Sequence, residues 1–535
     1  LRKHKIPTFF FINKIDRVGA DVDKIIEEIR LNLTDDVCHI VGLLDGDLDE
    51  KTIEFVAERD EELLELYMEE KYDRELWINH IKEMIKENTM YICGSGSALQ
   101  DEGIMEFLDN LHRLTSTNYN DVDFKGRIFK IGHEKNGTKI TYLKILSGSI
   151  KVRDEITYRD GENELREKIT QIRVYNGVKY KTVDSADAGQ LVGIMGLSKT
   201  FAGQGLGSIN EETVYNMIPT LKSKVIFDTS LNVREVVKAF NILNEEDPSL
   251  KVTWEEELGE IHIHVMGPIQ LEILDKTIKD RFGFTVEFGE PNILYKETIK
   301  GEVVGYGHFE PLGHYAEVHI KIEPGERNSG IKYKNLCHAD HLTTGNQNLV
   351  KHHIYERDHR GLLTGSPLTD VKISLLTGRA HNKHTSGGDF RQATYRALRQ
   401  GLEKADKVLL EPYYDFKIKV DMDYMGRVLS DIQKASGTFD PPETKGEKVI
   451  IRGRVPVSTF MNYPTELIAF TGGKGMLNLV YGGYDICHNT DEVVERIAYD
   501  KNADIEYSSS SIFCSKGKAY VVSWDEAEEE MHCSS

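Results

Sequence analysis

Asn13, Lys14 and Asp16 close the stretch Ile6–Asp16 (IPTFFFINKID), and their types and spacing suit the reading of a purine base. A carboxylate at Asp16 can accept two hydrogen bonds, from N1–H and the exocyclic amine of guanine, a donor pair that adenine lacks. The Lys14 stem can lie along the base while its ammonium stays in water. The Asn13 amide can bridge the base to a neighbouring loop. Ser97-Ala98-Leu99 forms a second candidate, a turn able to present backbone N–H groups to guanine O6. The tetrapeptide Asn-Lys-x-Asp also suits a solvated turn at a strand end, so the elements around it must decide.

Thr8–Ile12 is a short apolar run bounded by polar residues, the pattern of a parallel-sheet strand buried on both faces. Ligands of such sheets bind just beyond the carboxyl ends of the strands, where Asn13, Lys14 and Asp16 fall. Residues 45–70 read as an acidic amphipathic helix with Phe55, Leu63, Leu64 and Tyr67 as its apolar stripe, and a second helical pattern covers 74–88. Met90–Cys93 reads as another buried strand, ending in Gly94–Leu99, with a helix expected near Ile104–Leu114.

From about 122 to 205 the pattern changes to short alternating strands with Gly-rich turns, which suits a small antiparallel β-barrel. Residues 221–299 read strand, helix, strand, strand, helix, strand, the ferredoxin-like order, and a similar order recurs over 411–490. The 535 residues exceed what one core supports. No apolar run reaches the roughly 20 residues of a membrane span. The six scattered cysteines contain no Cys-x-x-Cys pair, which argues for a reducing cytoplasm and against a disulfide framework. A net charge of −21 leaves contact with nucleic acid to local patches.

This order resembles elongation factor G, and the resemblance extends to residues. Glu245-Glu246-Asp247-Pro248, Met266-Gly267 with Leu271-Glu272, and Pro291 with Tyr295-Lys296-Glu297-Thr298 look like the third domain of that family. Leu410-Glu411-Pro412 and Tyr424-Met425-Gly426 look like the beginning of its fifth. The loop Gly378–Arg391 (GRAHNKHTSGGDFR), leading into a helix through Asp389-Phe390-Arg391, resembles most the tetracycline ribosomal-protection branch.

The implied fold class is multidomain α/β and β. It comprises the C-terminal part of a P-loop-type GTP-binding domain (1–120), a β-barrel (121–210), and two ferredoxin-like α+β domains (220–299 and 411–490). These two flank an α+β unit like domain IV of elongation factor G (300–410), and a tail covers 491–535. The implied protein is a ribosome-dependent translational GTPase using GTP and Mg²⁺, a cytoplasmic monomer whose partner is the ribosome and not a membrane. Elongation factor G-like translocation and a non-enzymatic ribosome-binding module are the alternatives.

Two departures qualify the resemblance. The sequence has no Gly-rich phosphate loop, no switch regions and no catalytic His, and it opens on Leu1. The expectation is therefore a piece of a longer GTPase, inactive by itself, with its catalytic residues and Mg²⁺ chemistry elsewhere in the parent. The second departure is the tip loop, which carries Arg379, His381, Lys383 and His384 where well-known protection proteins have a Tyr-Ser-Pro-Val-type sequence. This questions drug displacement but not ribosome binding.

Within the locally basic stretch 376–407, Arg379, His381, Lys383, His384, Thr385, Ser386, Gly387 and Gly388 are the expected ribosomal RNA contacts, with the glycines allowing close backbone approach. Arg391, Arg396 and Arg399 read as the wet face of a helix, and His352-His353 as part of a basic loop. His262 and His264 alternate with apolar residues and belong on the non-core face of a strand. Trp524–Met531 could form an amphipathic helix. The spacing of Cys487-His488, Cys514 and Cys533 is too irregular for a metal motif, and no metal site is expected.

Overall fold

The computed structural model describes all residues except 3–4, 41–47, 118, 120–121, 135, 162, 210–217, 229, 257–258, 504–506 and 534–535. The start of the expected 45–70 helix therefore lies outside the described residues. The chain divides into two compact units, Leu1–Val122 and Asp123–Ser535.

In the first unit, strands β1 (Phe9–Ile12), β2 (Val37–His39) and β3 (Tyr91–Ser95) form a parallel sheet in the order β1-β3-β2. Helix α1 (Val22–Asn32) follows β1 and is capped by the Asp21 carboxylate, which accepts from Lys24 N–H. The acidic stretch forms two helices rather than one, α2 (Glu50–Ala57) and α3 (Glu61–Met68). The break falls at Asp60, whose carboxylate accepts from Glu62 and Leu63 N–H and so starts a new helix where a continuous one would leave it in solvent. Of the expected stripe, Leu63 is fully buried but Leu64 is exposed. Helix α4 (Arg74–Glu87) ends at Asn88 in the left-handed conformation, and α5 (Ile104–Leu114) follows β3. Buried Trp77, Ile81, Ile85 and Ile92 fill the core. The strand expected to be buried on both faces, β1, lies at a sheet edge and is half-buried along its length, while β3 between its neighbours is buried. An edge strand has one flank without a covering neighbour, which the apolar run alone does not reveal.

In the second unit, six antiparallel strands run in the order 179–183, 171–176, 191–195, 139–147, 125–133, 205–207 around Ile128, Leu143, Ile172 and Ile194. The next sheet has the spatial order Thr253–Glu255, Glu260–Val265, Leu221–Phe227, Val286–Phe288, with helices Val233–Glu246 and Pro268–Phe282 in the crossovers. This is the ferredoxin-like arrangement. Ile261, Ile263 and Val265 are buried, whereas His262 and His264 are only part-buried, as alternation along the strand requires. The same arrangement recurs around the long strand Asp406–Asp421, which pairs with Lys448–Pro456 on one side and Met476–Ile486 on the other.

Between these two lies a sheet in the order Ile331–Asn335, Val371–Ala380, Ala316–Pro324, Val303–Phe309, Ser511–Ser515, Lys518–Val522. The helix Gly387–Lys404 lies flush on it, because a Cβ at Gly305 or Gly307 would stand 2.1 or 2.0 Å from the Ala397 or Ala393 carbonyl oxygen. The last two strands come from the tail, whose Ile512 carbonyl accepts from Glu310 N–H at 2.8 Å. The expected helix over Trp524–Met531 is only a short 3-10 turn, Ala527–Glu530. Ala527 is buried against Phe513 and Val522, so packing against the hairpin holds the turn.

The residues Tyr295–Thr298 owe their place to one buried carboxylate. Glu297 accepts from the N–H groups of Leu363, Thr364 and Ser366 and from the Thr364 hydroxyl, fixing the loop before Val371. Glu297→Leu strands these donors, at about 1–3 kcal/mol for each left unsatisfied. The expected outcome is a large fall in the denaturation midpoint of the second unit, measured by chemical unfolding.

Glu246 plays a comparable part between the barrel and the neighbouring helices. Burial opposes its charge, but Arg281 at 2.6 and 2.8 Å and the His133 ring at 3.0 Å outweigh that and hold the carboxyl at about 2, below its ordinary 4.5. A carboxylate depressed in the fold contributes fully above its unfolded value and loses that contribution as pH falls from about 4.5 toward 2. The stability difference between the native chain and Glu246→Gln should be about 3 kcal/mol near neutrality and shrink across that acid window, as read from denaturant titrations at each pH.

Candidate nucleotide and RNA-contact sites

The turn after β1 and the turn after β3 are joined by hydrogen bonds. Gly96 N–H donates to Ile12 O at 3.0 Å, and Ile15 N–H donates to Gly96 O at 3.3 Å. The Asn13 Oδ1 accepts from Lys14 N–H at 2.8 Å and from Ala98 N–H at 2.9 Å, so the amide does bridge to the neighbouring loop. Lys14 adopts a left-handed φ of 69°, which turns the chain sharply after Asn13. Gly96 permits this crossing: a Cβ there would stand 2.1 Å from Glu102 O.

Asn13, Lys14 and Asp16 are exposed, as are Ala98 and Leu99, whereas Ser97 is buried. The Ser97 hydroxyl beside it, against a smaller opposing effect of burial and with help from the Asp16 backbone and Arg17, holds the Asp16 carboxyl below the usual range. Asp16 is thus an exposed carboxylate, favoured in its ionised form, beside the buried Ser97 of the second turn. The Ser97 N–H donates to Glu102 O, and the Ala98 N–H to Asn13, so a base oxygen would share the Ala98 donor in a three-centre bond. The part of the Ser97 hydroxyl was not read from sequence, where the turn offered only backbone groups. A cleft of about 370 Å³ lies beside Lys14 toward α1, lined by Asn13, Lys14, Val18, Asp21 and Lys24 but not by Asp16 or the 97–99 turn.

In the second unit, Arg379 and Ala380 end the strand Val371–Ala380, and Gly387 begins the long helix. Arg379, His381, Lys383, His384, Ser386, Gly387 and Gly388 are exposed together. Thr385 faces inward: its hydroxyl donates to Tyr315 O at 2.6 Å and accepts from His381 N–H at 2.7 Å, which shapes the loop. The His381 and His384 rings stack, 4.6 Å apart. Ser386 and Asp389 form a capping box, and His314 Nδ1 lies 2.8 Å from Asp389 Oδ1. Neither Gly387 nor Gly388 has a positive φ, and a Cβ at Gly388 would meet nothing within 4 Å. The fold's own packing does not require glycine there.

The helix beyond the loop corrects two expectations. Arg396 and Arg399 are not on a wet face but are 5 % and 1 % exposed. Arg396 lies over the Phe309 ring, and Arg399 lies over Tyr507 and donates to Lys501 O at 2.6 Å. The tail covers the side of the helix that helical periodicity alone leaves open to solvent. Arg391 remains half-exposed and pairs with Glu356 at 2.9 Å. His352-His353 lie on the helix Thr344–Tyr355 rather than in a loop, with His353 buried.

Four models of elongation factor G match in succession: domain 2 over 123–208, domain III over 219–290, domain IV over 291–406 and the C-terminus over 408–493. The chain belongs to the elongation factor G superfamily. Among its relatives is a tetracycline resistance protein, TetP, of Clostridium perfringens, 29% identical over 508 residues that cover 90% of this chain and 77% of TetP. Elongation factor G of Aquifex pyrophilus is 25% identical over 560 residues, covering 90% of this chain and 79% of that factor. A solved protein of Thermus thermophilus shares the fold with a TM-score of 0.53 at 22% identity, over 93% of this chain and 82% of its own. In elongation factor G terms the exposed loop 379–388 falls within the domain IV match, and the strands 511–515 and 518–522 lie beyond the C-terminal match. No helix among the described residues is long and apolar enough to cross a membrane.

Proposed function

We propose that this member of the elongation factor G superfamily acts on the ribosome as a translational GTPase that remodels or protects the decoding site, in the manner of tetracycline ribosomal protection. The observation that carries the reading is the exposed loop 379–388 within the domain IV match, with the Arg379 and Lys383 charges on a chain of net charge −21. RNA phosphate is the natural target of such a patch, through charge-assisted hydrogen bonds and the N-terminus of the long helix.

Asn13, Lys14 and Asp16, with the 97–99 turn, would select guanine. GTP phosphates and Mg²⁺ would be held by the phosphate loop and switch elements that this sequence does not contain, so hydrolysis belongs to a chain that carries them. GTP binding would dock the factor, the loop would reach into the decoding region, and hydrolysis would release it. The similarity to TetP favours protection over translocation as the first reading.

The test loads ribosomes with labelled tetracycline and adds GTP and a version of the protein that carries the phosphate-binding elements. GTP-dependent release of the drug supports protection. Ribosome-stimulated hydrolysis without release selects a translocation-like role, and ribosome binding without either leaves the non-enzymatic module.

A further inference from the structure

The tail residues His532 and Cys533, beyond the last matched domain, meet a cluster of buried side chains on strands of the domain IV match. His308 and Glu317 are direct cross-strand partners, and His319 stands two residues beyond Glu317 on the same face, opposite Tyr306. Glu317, His308 and His319 are almost completely buried, at 0%, 0% and 1% exposure. A buried carboxylate needs compensation, and here it comes from two rings and the end of the tail. Glu317 Oε2 lies 2.8 Å from His308 Nδ1 and accepts from His532 N–H at 2.9 Å. Glu317 Oε1 lies 2.9 Å from His319 Nε2 and accepts from Cys533 N–H at 2.7 Å.

Two sets of potential ligand atoms lie within 4.8 Å of one another around this carboxylate: His308, Glu317 and His532, and Glu317, His319 and Cys533. They are not equivalent. The His308 ring is spanned by two carboxylates, Glu317 on Nδ1 and Glu310 on Nε2 at 3.2 Å, and His532 Nδ1 lies 3.1 Å from the Tyr315 hydroxyl. The second set offers an imidazole nitrogen, a carboxylate oxygen and a thiol sulfur, the donor types that zinc takes at about 2.0–2.3 Å. With the three ligand atoms all within 4.8 Å of one another, drawing them onto one tetrahedral ion needs only modest shifts of side chains.

We propose that Glu317, His319 and Cys533 bind a zinc ion that fastens the C-terminal tail to the central sheet, with a fourth position left to water. His308 and the His532 backbone N–H hold the other carboxylate oxygen and so orient Glu317 toward the ion. The site adjoins the tip loop, since the Arg379 guanidinium reaches His532 O at 3.5 Å and Thr385 bonds to Tyr315. Zinc would thus set the position of the tail beside the exposed basic loop. Spacing along the chain could not reveal this. Among the described residues Cys487 and His488 gather on Glu411, and Cys514 joins no cluster, so the cysteines do not form one site; Cys533 instead meets a histidine and a glutamate from distant strands.

The experiment measures zinc bound by the full chain after chelator treatment and readdition, by metal analysis and by competition with a chromophoric chelator. Cobalt replaces zinc in parallel, to display the thiolate-to-metal absorption. One ion per chain is expected. Cys533→Ser should lower affinity more than about tenfold and remove the thiolate band, and His319→Gln should also weaken binding. Cys514→Ser, in the tail hairpin Ser511–Val522, should leave both readouts unchanged. Cys533 is only half-buried, so its variant is expected to keep the native circular dichroism. The wild-type chain retaining no zinc would overturn the proposal. So would Cys533→Ser binding it with unchanged affinity, or loss of the ion only in His308→Gln.

Discussion

Asp16→Asn, placed in a chain with phosphate-binding elements, is expected to lower affinity for GTP by roughly two orders of magnitude or more and to raise that for xanthosine triphosphate. The reason is the inversion of one group. The Asp16 carboxylate is held ionised by the Ser97 hydroxyl and can accept from both guanine donors. An asparagine amide turns an N–H group toward those donors, leaving one of them unpaired, whereas the xanthine carbonyl at the same position supplies an acceptor for it. The turns themselves rest on Asn13, Gly96 and Ala98, none of which the substitution touches. Competition binding with both nucleotides checks this. Unchanged GTP preference would remove Asp16 from the base-reading role. Ser97→Ala should act in the same direction but more weakly, since it frees the carboxylate without inverting its chemistry.

The second large effect concerns the tip. Arg379→Ala combined with Lys383→Ala should weaken ribosome binding at least tenfold and flatten its dependence on salt, with the logarithmic slope falling by about 1.5 if each side chain neutralises one phosphate. Both residues are exposed, so folding stability should move little. Gly388→Ala separates contact from packing. Its site is open and its backbone is helical, so alanine should stabilise the helix by about 0.5–1 kcal/mol. A loss of ribosome affinity together with that gain in stability would locate RNA against the Gly388 backbone. Unchanged affinity in both variants would move the contact elsewhere. Filter binding or sedimentation across a salt series, alongside thermal unfolding, distinguishes the cases.

Much of the fold was legible because local patterns and global packing agree. The helix expected near Ile104–Leu114 forms over those residues, and both ferredoxin-like units follow the order of strand and helix patterns in the sequence. The failures share a cause. Asp60 broke a helix that hydrophobic spacing treats as continuous, because a side-chain cap competes with the helix at that one residue. The burial of Arg396, Arg399 and His353 could not be read, since helical periodicity describes one helix and not what later covers it.

The chemistry of the candidate sites divides along the same line. The sequence by itself determined which residues are the candidates for reading a base, the basic character of the 379–388 loop and the succession of elongation factor G units, because each resides in contiguous residues. Tertiary structure alone decided that Ser97 holds Asp16, that Glu297 carries a distant loop, and that the tail adds two strands to the central sheet. It also decided that Cys533 meets Glu317 and His319. These are contacts between residues far apart in the chain, where burial turns a hydroxyl, a carboxylate or a thiol from a solvated group into one that must find a partner.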